Sequence, residues 1–487
     1  MNIQDKYNIA ILKQSSLKAM KWSAFAESMS RIVPPIVMLI LARILSPSEF
    51  GTVAVATVAV GLARVFQEFG LGKALIQTEN NVGDYANNAF WLNVVIAICL
   101  YIIIFFTAPF ISLLFDSHET TGVLRVLCLQ IVIESLFSMH NALLRRNMRF
   151  KALFFVRFIS SIVAGSVSII MAISSMGVWS LVYGTLAGSM CQMILYWKLS
   201  DWTPKFAFSL QVSKQMIAFS KWVFFEAVLV WLINWFDSVA IGHYLGVKDL
   251  GVYRVSSTLI AFAANIIFTP IVPVAFSLFS RLQSDLSELK KVYIKLNKII
   301  ASVAIPFGIG ICILAKPIAL VMFGEKWAGA EIVIAFMSIR IGIGWLVGLN
   351  STIYTAIGKP VLNVKLLLVV AGISVPAYLF GAKYGLLIFC IVRLIASLID
   401  DCINYFIAKI TFDLSLKTFI QSLLPPFIGS ALMATIISLI KSFANINNWF
   451  ALILLIITGF LFYIACLMVI NKEFVIKNYY YGVQMLK

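Results

Sequence analysis

Charged side chains are scarce in this chain, where they make up 12% of the 487 residues, whereas 61% of the residues are hydrophobic. No long stretch is polar, which argues against a separate soluble domain. Because no soluble core needs this much apolar surface, the composition predicts an all-α polytopic membrane protein. The net charge of +17 does not indicate nucleic-acid binding, since the cations lie between apolar runs.

The sequence also lacks the common motifs of catalytic and metal sites. Its seven cysteines stand singly in or beside apolar runs, without CxxC or Cys/His spacing, so neither a disulfide framework nor a metal site is predicted. It has no HExxH, Walker loop, GxGxxG or GxSxG motif. We therefore predict neither an enzyme nor a cofactor. Any energy input would come from an ion gradient, the membrane potential or consumption of substrate on one side.

Long apolar runs are abundant, and each run of about 20 residues is long enough to cross a bilayer. The sequence predicts fourteen spans, near 22–44, 50–70, 87–108, 122–142, 153–174, 178–198, 216–240, 251–274, 296–316, 330–352, 363–381, 385–407, 419–440 and 450–470. The first 22 residues contain four lysines on a mixed polar and apolar segment. We expect this segment to lie on the membrane surface and not to be a cleaved signal peptide.

Lysine and arginine in the connecting loops predict the orientation. With the N-terminus inside, twenty-five of these residues fall on the cytoplasmic side and seven on the opposite side. The positive-inside rule therefore predicts that both termini are cytoplasmic and that the number of spans is even.

Three stretches of the first half return in the second half in the same order. Leu41–Gly51 returns as Ile241–Gly251, Pro109–Phe115 returns as Pro317–Phe323 at an offset of 208, and the apolar run at Gly177 returns at Gly385. This pattern predicts two six-helix lobes, 1–205 and 206–412, followed by two additional helices and a tail at 413–487. The lobes would be related by a pseudo-twofold axis along the membrane normal, which is typical of transporters.

Polar residues follow one face of several predicted spans in both halves, which predicts a polar central cavity. Six arginines are the candidate substrate-binding residues: Arg31, Arg64, Arg157, Arg254, Arg340 and Arg393. Carboxylates in the same spans are candidates for ion coupling or for a structural role: Glu27, Glu68, Glu134, Glu226, Asp237, Asp400 and Asp401. Arginine without mid-span lysine favours bidentate contacts to phosphate or carboxylate.

A structural explanation of the same residues stays open. Glu27–Arg31 and Arg64–Glu68 are spaced by four residues and could neutralise each other along a helix. Prolines at 34, 35, 270 and 273 interrupt spans 1 and 8, either as hinges or as static kinks. His140 is the one histidine that we place near the cavity.

The stretch LARILSPSEFGTVAVATVAVGLARVFQEFGLGKALIQ, residues 41–77, resembles the opening hairpin of bacterial polysaccharide flippases. The turn Leu45–Gly51 and the run Phe69–Gln77 carry this resemblance. The closest branch is the Wzx-like type, which exports lipopolysaccharide, colanic acid or teichuronic acid. These proteins belong to the multidrug/oligosaccharidyl-lipid/polysaccharide superfamily.

The resemblance implies transport of an undecaprenyl-diphosphate-linked oligosaccharide repeat unit from the cytoplasmic to the outer leaflet of the bacterial inner membrane. The lobes would rock about the cavity, the arginines would bind the diphosphate, and the lipid tail would stay in the bilayer. Membrane lipids and a polysaccharide polymerase would be partners. The main alternative is an ion-coupled drug/cation antiporter of the same superfamily. A lipid II flippase is nearer than that antiporter in span number, but the opening hairpin resembles it less. Short outer loops argue against a glycosyl polymerase or ligase.

Overall fold

A computed structural model describes residues 32–68, 82–206, 210–412, 414–443 and 448–470, without the side chains of 210–223. The chain divides into two compact units, Met1–Gly251 (unit 1) and Val252–Lys487 (unit 2). The described part of the chain is helical, as the composition predicts. The lobe boundaries at 205 and 412 stay predictions.

The helices of unit 1 follow one another with short connections. They are α1 (Ile32–Ile44), α2 (Pro47–Glu68), α3 (Val82–Leu114), α4 (Glu119–Leu127), α5 (Leu129–Arg146), α6 (Phe150–Ile173), α7 (Val178–Leu199) and the first part of α8 (Leu210–Phe268). Helix α8 is broken at Gly246, whose φ is 82°.

Unit 2 holds the end of α8 and the helices that follow it. They are α9 (Ile271–Arg281), α10 (Leu286–Ile313), α11 (Ala315–Met322), a 3-10 turn (Glu325–Trp327), α12 (Ala330–Gly344), α13 (Asn350–Ala356), α14 (Val361–Ala382), α15 (Leu386–Phe412), α16 (Leu416–Phe443) and α17 (Trp449–Ile470).

Among the described residues, ten helical stretches are long and apolar enough to cross a membrane. This confirms a polytopic helical membrane protein, whereas the number fourteen stays a prediction. Helix α15 has 27 residues but is not one of the ten. Its middle carries Arg393, Asp400 and Asp401, and charge at bilayer depth is costly.

Several helix ends differ from the predicted spans. The predicted span 251–274 is divided, because α8 ends at Phe268 and α9 begins at Ile271 after Pro270, which has no N–H group to continue the ladder. The predicted span 330–352 is divided between α12 and α13. The predicted span 87–108 is longer in the structure, because the helix continues through Pro109 to Leu114.

The turn between α1 and α2 has a structure that its sequence explains. Ser46 and Glu49 form a reciprocal cap, in which the backbone N–H and hydroxyl of Ser46 donate to Glu49 Oε2 at 2.6 and 2.7 Å. Pro47 occupies the first helical position, where a missing N–H costs nothing. Two hundred residues later, Gly246 breaks α8 at the position that matches Ser46. The repeated sequence therefore marks two breaks at matching positions.

The two matching turns touch each other inside unit 1. A Cβ atom added to Gly51 would overlap the backbone of Val247, and one added to Gly251 would overlap the backbone of Pro47. Gly51 matches Gly251, and Pro47 matches Val247, so the two contacts are reciprocal. Both glycines allow a close approach that a larger residue would prevent.

Small residues also bring α6 and α7 together. Gly184 and Gly188 lie one turn apart on α7, against Ser168 and Ala164 of α6. Such spacing lets membrane helices pack closely, because it removes side-chain bulk from the interface.

The last two helices pack on unit 2. Phe419 of α16 joins the buried cluster that contains Phe279, Tyr293 and Tyr354. The Tyr463 hydroxyl of α17 donates to the carbonyl of Ser302 at 2.8 Å. These helices are therefore integral to unit 2 in the described chain.

Candidate functional site

In unit 1, the predicted arginine on α2 is paired with the predicted glutamate on α5. Arg64 Nε and Nη2 donate to Oε2 and Oε1 of Glu134 at 2.8 and 2.6 Å, which is a bidentate ion pair. The two side chains are 37% and 23% exposed. The partner predicted from helical spacing, Glu68, is not the hydrogen-bonded one. The pair leaves part of its polar surface accessible within two apolar helices.

Neutral polar groups extend this pair along the same helices. Gln130 Nε2 donates to Glu134 Oε1 and to the hydroxyl of Ser189 on α7, both at 3.1 Å. Gln67 Nε2 donates to the backbone carbonyl of Ile131 at 3.0 Å. Helices α2, α5 and α7 are therefore connected by one polar network around Arg64 and Glu134.

In unit 2, the polar groups predicted on spans 10 and 12 also come together. Arg340 of α12 interacts electrostatically with Asp400 and Asp401 of α15, and Asp400 lies beside Ser374 of α14. Asp400 Oδ1 and Asp401 Oδ2 are buried and accept no hydrogen bond from the described residues. Two adjacent carboxylates with one arginine carry a formal negative charge, so the cluster suits a cation or a proton better than an anion.

Arg393, also predicted as a cavity residue, is only 9% exposed. Its guanidinium carbon lies 5.3 Å from the ring centroid of Tyr253 and 5.2 Å from that of Tyr378. Both distances are within the range of cation–π attraction. In unit 2 the aromatic rings therefore stabilise this arginine, and no sequence pattern indicated them.

The two remaining candidate substrate-binding arginines among the described residues are half-buried. Arg157 of α6 lies beside the Tyr196 hydroxyl of α7. Arg254 lies in the last part of α8 and interacts with neighbouring groups.

The remaining predicted carboxylates have varied surroundings. Glu68, at the end of α2, and Glu226 are exposed. Asp237 is 2% exposed, and its Oδ1 accepts a hydrogen bond from the Ser238 hydroxyl at 3.0 Å. Glu27, Arg31 and the run Phe69–Gln77 lie outside the described residues, so their predicted roles stay predictions.

The sequence places Tyr354 and Asn404 on the polar faces of predicted spans 10 and 12, but it does not show the buried network that they join in unit 2. The Tyr293 hydroxyl donates to Asn350 Oδ1, and Asn350 Nδ2 donates to Asn404 Oδ1 at 3.1 Å. The Tyr354 hydroxyl donates to the carbonyl of Asn404 at the same distance. These contacts join α10, α13 and α15 next to the break between α12 and α13. In the sequence alone, Asn350 is distinguished only as a polar residue inside the predicted span 330–352.

His140, which we placed near the cavity, is instead fully buried. Its ring lies 4.9 Å from the ring of Trp197 and 5.1 Å from that of Trp202. That prediction was wrong because helical spacing does not show which face of α5 meets other side chains.

Comparison with known proteins identifies the family. The family model described as "Polysaccharide biosynthesis protein" matches residues 40–332, more than half of the chain. The chain belongs to this family. The match begins before the turn between α1 and α2 and extends into α12, so it includes Arg64, Glu134 and Arg254.

Two relatives of this polysaccharide biosynthesis family member carry descriptive names. The chain is 26% identical over 322 residues to the succinoglycan biosynthesis transport protein ExoT of Rhizobium meliloti (strain 1021), covering 66% of this chain and 65% of that protein. It is 22% identical over 423 residues to the teichuronic acid biosynthesis protein TuaB of Bacillus subtilis (strain 168), covering 85% and 87%.

A solved structure shows the fold. The lipid II flippase MurJ, in an inward closed conformation, superposes with a TM-score of 0.78 and 17% identity, covering 93% of this chain and 99% of that chain. The polysaccharide biosynthesis family member therefore has a MurJ-like helical fold.

Proposed function

We propose that this protein moves an undecaprenyl-diphosphate-linked oligosaccharide repeat unit from the cytoplasmic to the outer leaflet by alternating access. The family match and the names of ExoT and TuaB support a role in surface-polysaccharide assembly. The MurJ-like fold supports lipid-linked transport. The polysaccharide built from this unit would be exported by the cell, and its polymerase would act on the product in the outer leaflet.

The observation that carries the proposal is the partly exposed Arg64–Glu134 pair inside apolar helices. A fully lipid-facing ion pair would be very costly, so its exposed fraction supports contact with a polar cavity. Arginine is suited to a diphosphate because its planar guanidinium can form two parallel hydrogen bonds. We infer that Arg64 contacts the diphosphate head group.

Reconstitution tests this function. Purified protein in liposomes with a labelled polyprenyl-diphosphate oligosaccharide should accelerate exchange of the lipid between leaflets over protein-free liposomes. We expect Arg64→Gln to slow this exchange by about tenfold or more, since it removes a charge-assisted contact. The matched control is Arg281→Gln, at the exposed end of α9, which should exchange like wild type. Unaccelerated exchange with the wild-type protein, with or without an ion gradient, would exclude this substrate class.

An ion-coupled drug/cation antiporter is the second candidate. The carboxylates of Asp400 and Asp401 favour it, since each has a buried oxygen that accepts no hydrogen bond within the part of the chain that the structure describes. Under this alternative, Asp400→Asn with Asp401→Asn would abolish cation-driven drug uptake by inverted vesicles. In a flippase, the same double variant would change only the ion dependence of lipid exchange.

A further inference from the structure

A groove on the outside of unit 1 lies between the start of α6 and the end of α7. Ala152, Phe155, Val156 and Ile159 line it from α6, at the spacing of one helix face, and Leu195 and Leu199 line it from α7. Its volume is about 470 Å³, within the usual range for ligand pockets, about 300–1,000 Å³. Val156 forms a buried floor, whereas Phe155 and Ile159 are 42% and 39% exposed at the rims.

Two cations line the same groove at one end, where α6 begins. Lys151 is exposed and has no ion pair in the described chain. Arg149 pairs with Asp201 at 2.8 Å, but the Asp201 side chain is 94% exposed and that of Arg149 is 41% exposed. Such a solvated pair is weak, so the guanidinium can also bind a second anion.

The backbone fixes these cations at the end of the groove. Helix α5 ends at Arg146, and Met148, two residues later, has a left-handed backbone with φ 52°. The N–H of Met148 then donates to the carbonyl of Arg145, and the N–H of Arg149 donates to that of Leu144. This pair of hydrogen bonds is a Schellman ending, which turns the chain sharply. Helix α6 starts at the next residue, Phe150. Arg149 therefore directly precedes its first turn, and Lys151 lies within that turn.

The length of the groove indicates what fills it. From Arg149 to Ile159 the helix rises about 15 Å, which is half of a hydrocarbon core of about 30 Å. The groove is therefore one leaflet deep, with its cations where a phosphate head group would lie. That length suits the acyl chain of a phospholipid, whereas an undecaprenyl chain is far longer.

We propose that this groove binds an anionic phospholipid of the leaflet at the start of α6, with an acyl chain against Val156 and its phosphate on Arg149 and Lys151. The same end of unit 1 carries Arg145, Arg146 and Lys198, which add to the attraction for anionic head groups. The positive-inside rule predicts that this is the cytoplasmic end, so the lipid belongs to the cytoplasmic leaflet. None of the groove residues belongs to the Arg64–Glu134 network.

Photocrosslinking of the full-length protein in nanodiscs tests the proposal. The probe is phosphatidylglycerol with a diazirine on one acyl chain, and phosphatidylcholine with the same chain is the zwitterionic comparison. We expect the phosphatidylglycerol adduct to map to residues 149–159 and to exceed the phosphatidylcholine adduct several-fold. Equal labelling of both lipids, or labelling elsewhere only, would overturn the proposal.

Variants separate the head-group contact from the groove. Arg149→Gln with Lys151→Gln should reduce the adduct roughly tenfold, because each surface cation attracts an anionic lipid. Ala152→Phe should reduce it with both cations retained, since the added ring occupies the groove. The control, Lys359→Gln with Lys365→Gln, removes the same charge from unit 2 and should leave the adduct unchanged. Unchanged labelling in both groove variants would contradict the assignment.

A competition distinguishes the phospholipid from the proposed transport substrate. Excess polyprenyl diphosphate without a photolabel should leave the phosphatidylglycerol adduct in place. If it displaces the adduct, the groove holds the polyprenyl lipid and the phospholipid assignment is wrong. Because lipid exchange is measured separately in liposomes, failure of this site leaves the proposed transport function to its own test.

Discussion

The ion pair between Arg64 and Glu134 limits how either side chain can bind a substrate. Each holds the other in a bidentate contact across α2 and α5. A diphosphate that binds Arg64 must therefore share the guanidinium with a carboxylate or replace that carboxylate. We infer that Glu134 weakens anion binding enough for release, which a transporter requires at the end of each cycle.

Removal of either partner should destabilise the protein. Glu134→Ala leaves an arginine within the apolar helices without its partner, and Arg64→Ala leaves the glutamate. We expect each to cost about 1–3 kcal/mol, below the value for a fully buried pair because both side chains are partly exposed. The measurement is the apparent melting temperature in detergent.

The exposed pair Arg149–Asp201 provides the comparison. Asp201→Ala should change the melting temperature little, since exposed pairs contribute about 0–1 kcal/mol. A charge swap of the first pair, made as Arg64→Glu with Glu134→Arg, should recover part of the lost stability. A swap as unstable as either single variant would show that the surroundings, not the pair, hold these residues.

Sequence spacing placed Arg64 on the polar face of a predicted span, but it did not identify the residue with which Arg64 pairs. A single sequence shows neighbours along one helix, so Glu68 at four residues was the visible choice. Glu134 is 70 residues away and comes near only when α2 packs with α5. The rings around Arg393 were missed for the same reason.

At the scale of elements, the α6–α7 hairpin depends on glycine. A Cβ at Gly184 would overlap Ser168 and the backbone of Ala164. In membranes the helices gain little from burial of apolar surface against each other, so close packing carries much of their association.

Gly184→Ala should therefore separate α6 from α7 and lower stability by about 1–3 kcal/mol, the usual cost of overpacking. The matched control is Gly372→Ala in α14, where an added Cβ meets no atom within 4 Å. That substitution should be neutral or stabilising, since alanine favours a helix. Melting of both variants in detergent measures the difference, and equal losses would show that helix propensity, not contact, governs both sites.

Helix breaks were partly visible in the sequence. The Ser46–Glu49 cap lies between the predicted spans 22–44 and 50–70, and Pro270, which the sequence analysis placed as an interruption of span 8, separates α8 from α9. The break between α12 and α13 has no proline, so the predicted span 330–352 ran through it. Its polar network, from Tyr293 to Asn404, depends on tertiary contacts that no local pattern shows.

At the scale of the whole molecule, composition predicted the class of protein because apolar spans leave a strong local signal. The signal is weaker where a span carries charged side chains. Helix α15, predicted as the span 385–407, contains Arg393, Asp400 and Asp401 and is not one of the ten apolar stretches. The number of spans therefore depends on tertiary contacts that neutralise such residues.

Orientation can be tested with reporter fusions. A fluorescent protein fused after Lys205 should fluoresce, and alkaline phosphatase fused after Glu325 should be active, because loop charges place these positions inside and outside respectively. The exchanged fusions serve as controls and should both be silent. The opposite pattern would invert the topology and place the lipid groove in the outer leaflet.

The reciprocal contact of Gly51 and Gly251 bears on the origin of the chain. In a symmetric dimer, residue i of one subunit meets j of the other, and j meets i. Gly51 contacts Val247, and the residues at the matching positions, Gly251 and Pro47, contact each other in the same way. A six-helix ancestor could have formed this contact with a second copy of itself, and one mutation would then have changed both sides. Under the predicted duplication, fusion of two copies would have let the two sides diverge. A Ser46–Glu49 cap now stands at one break and Gly246, with φ 82°, at the other.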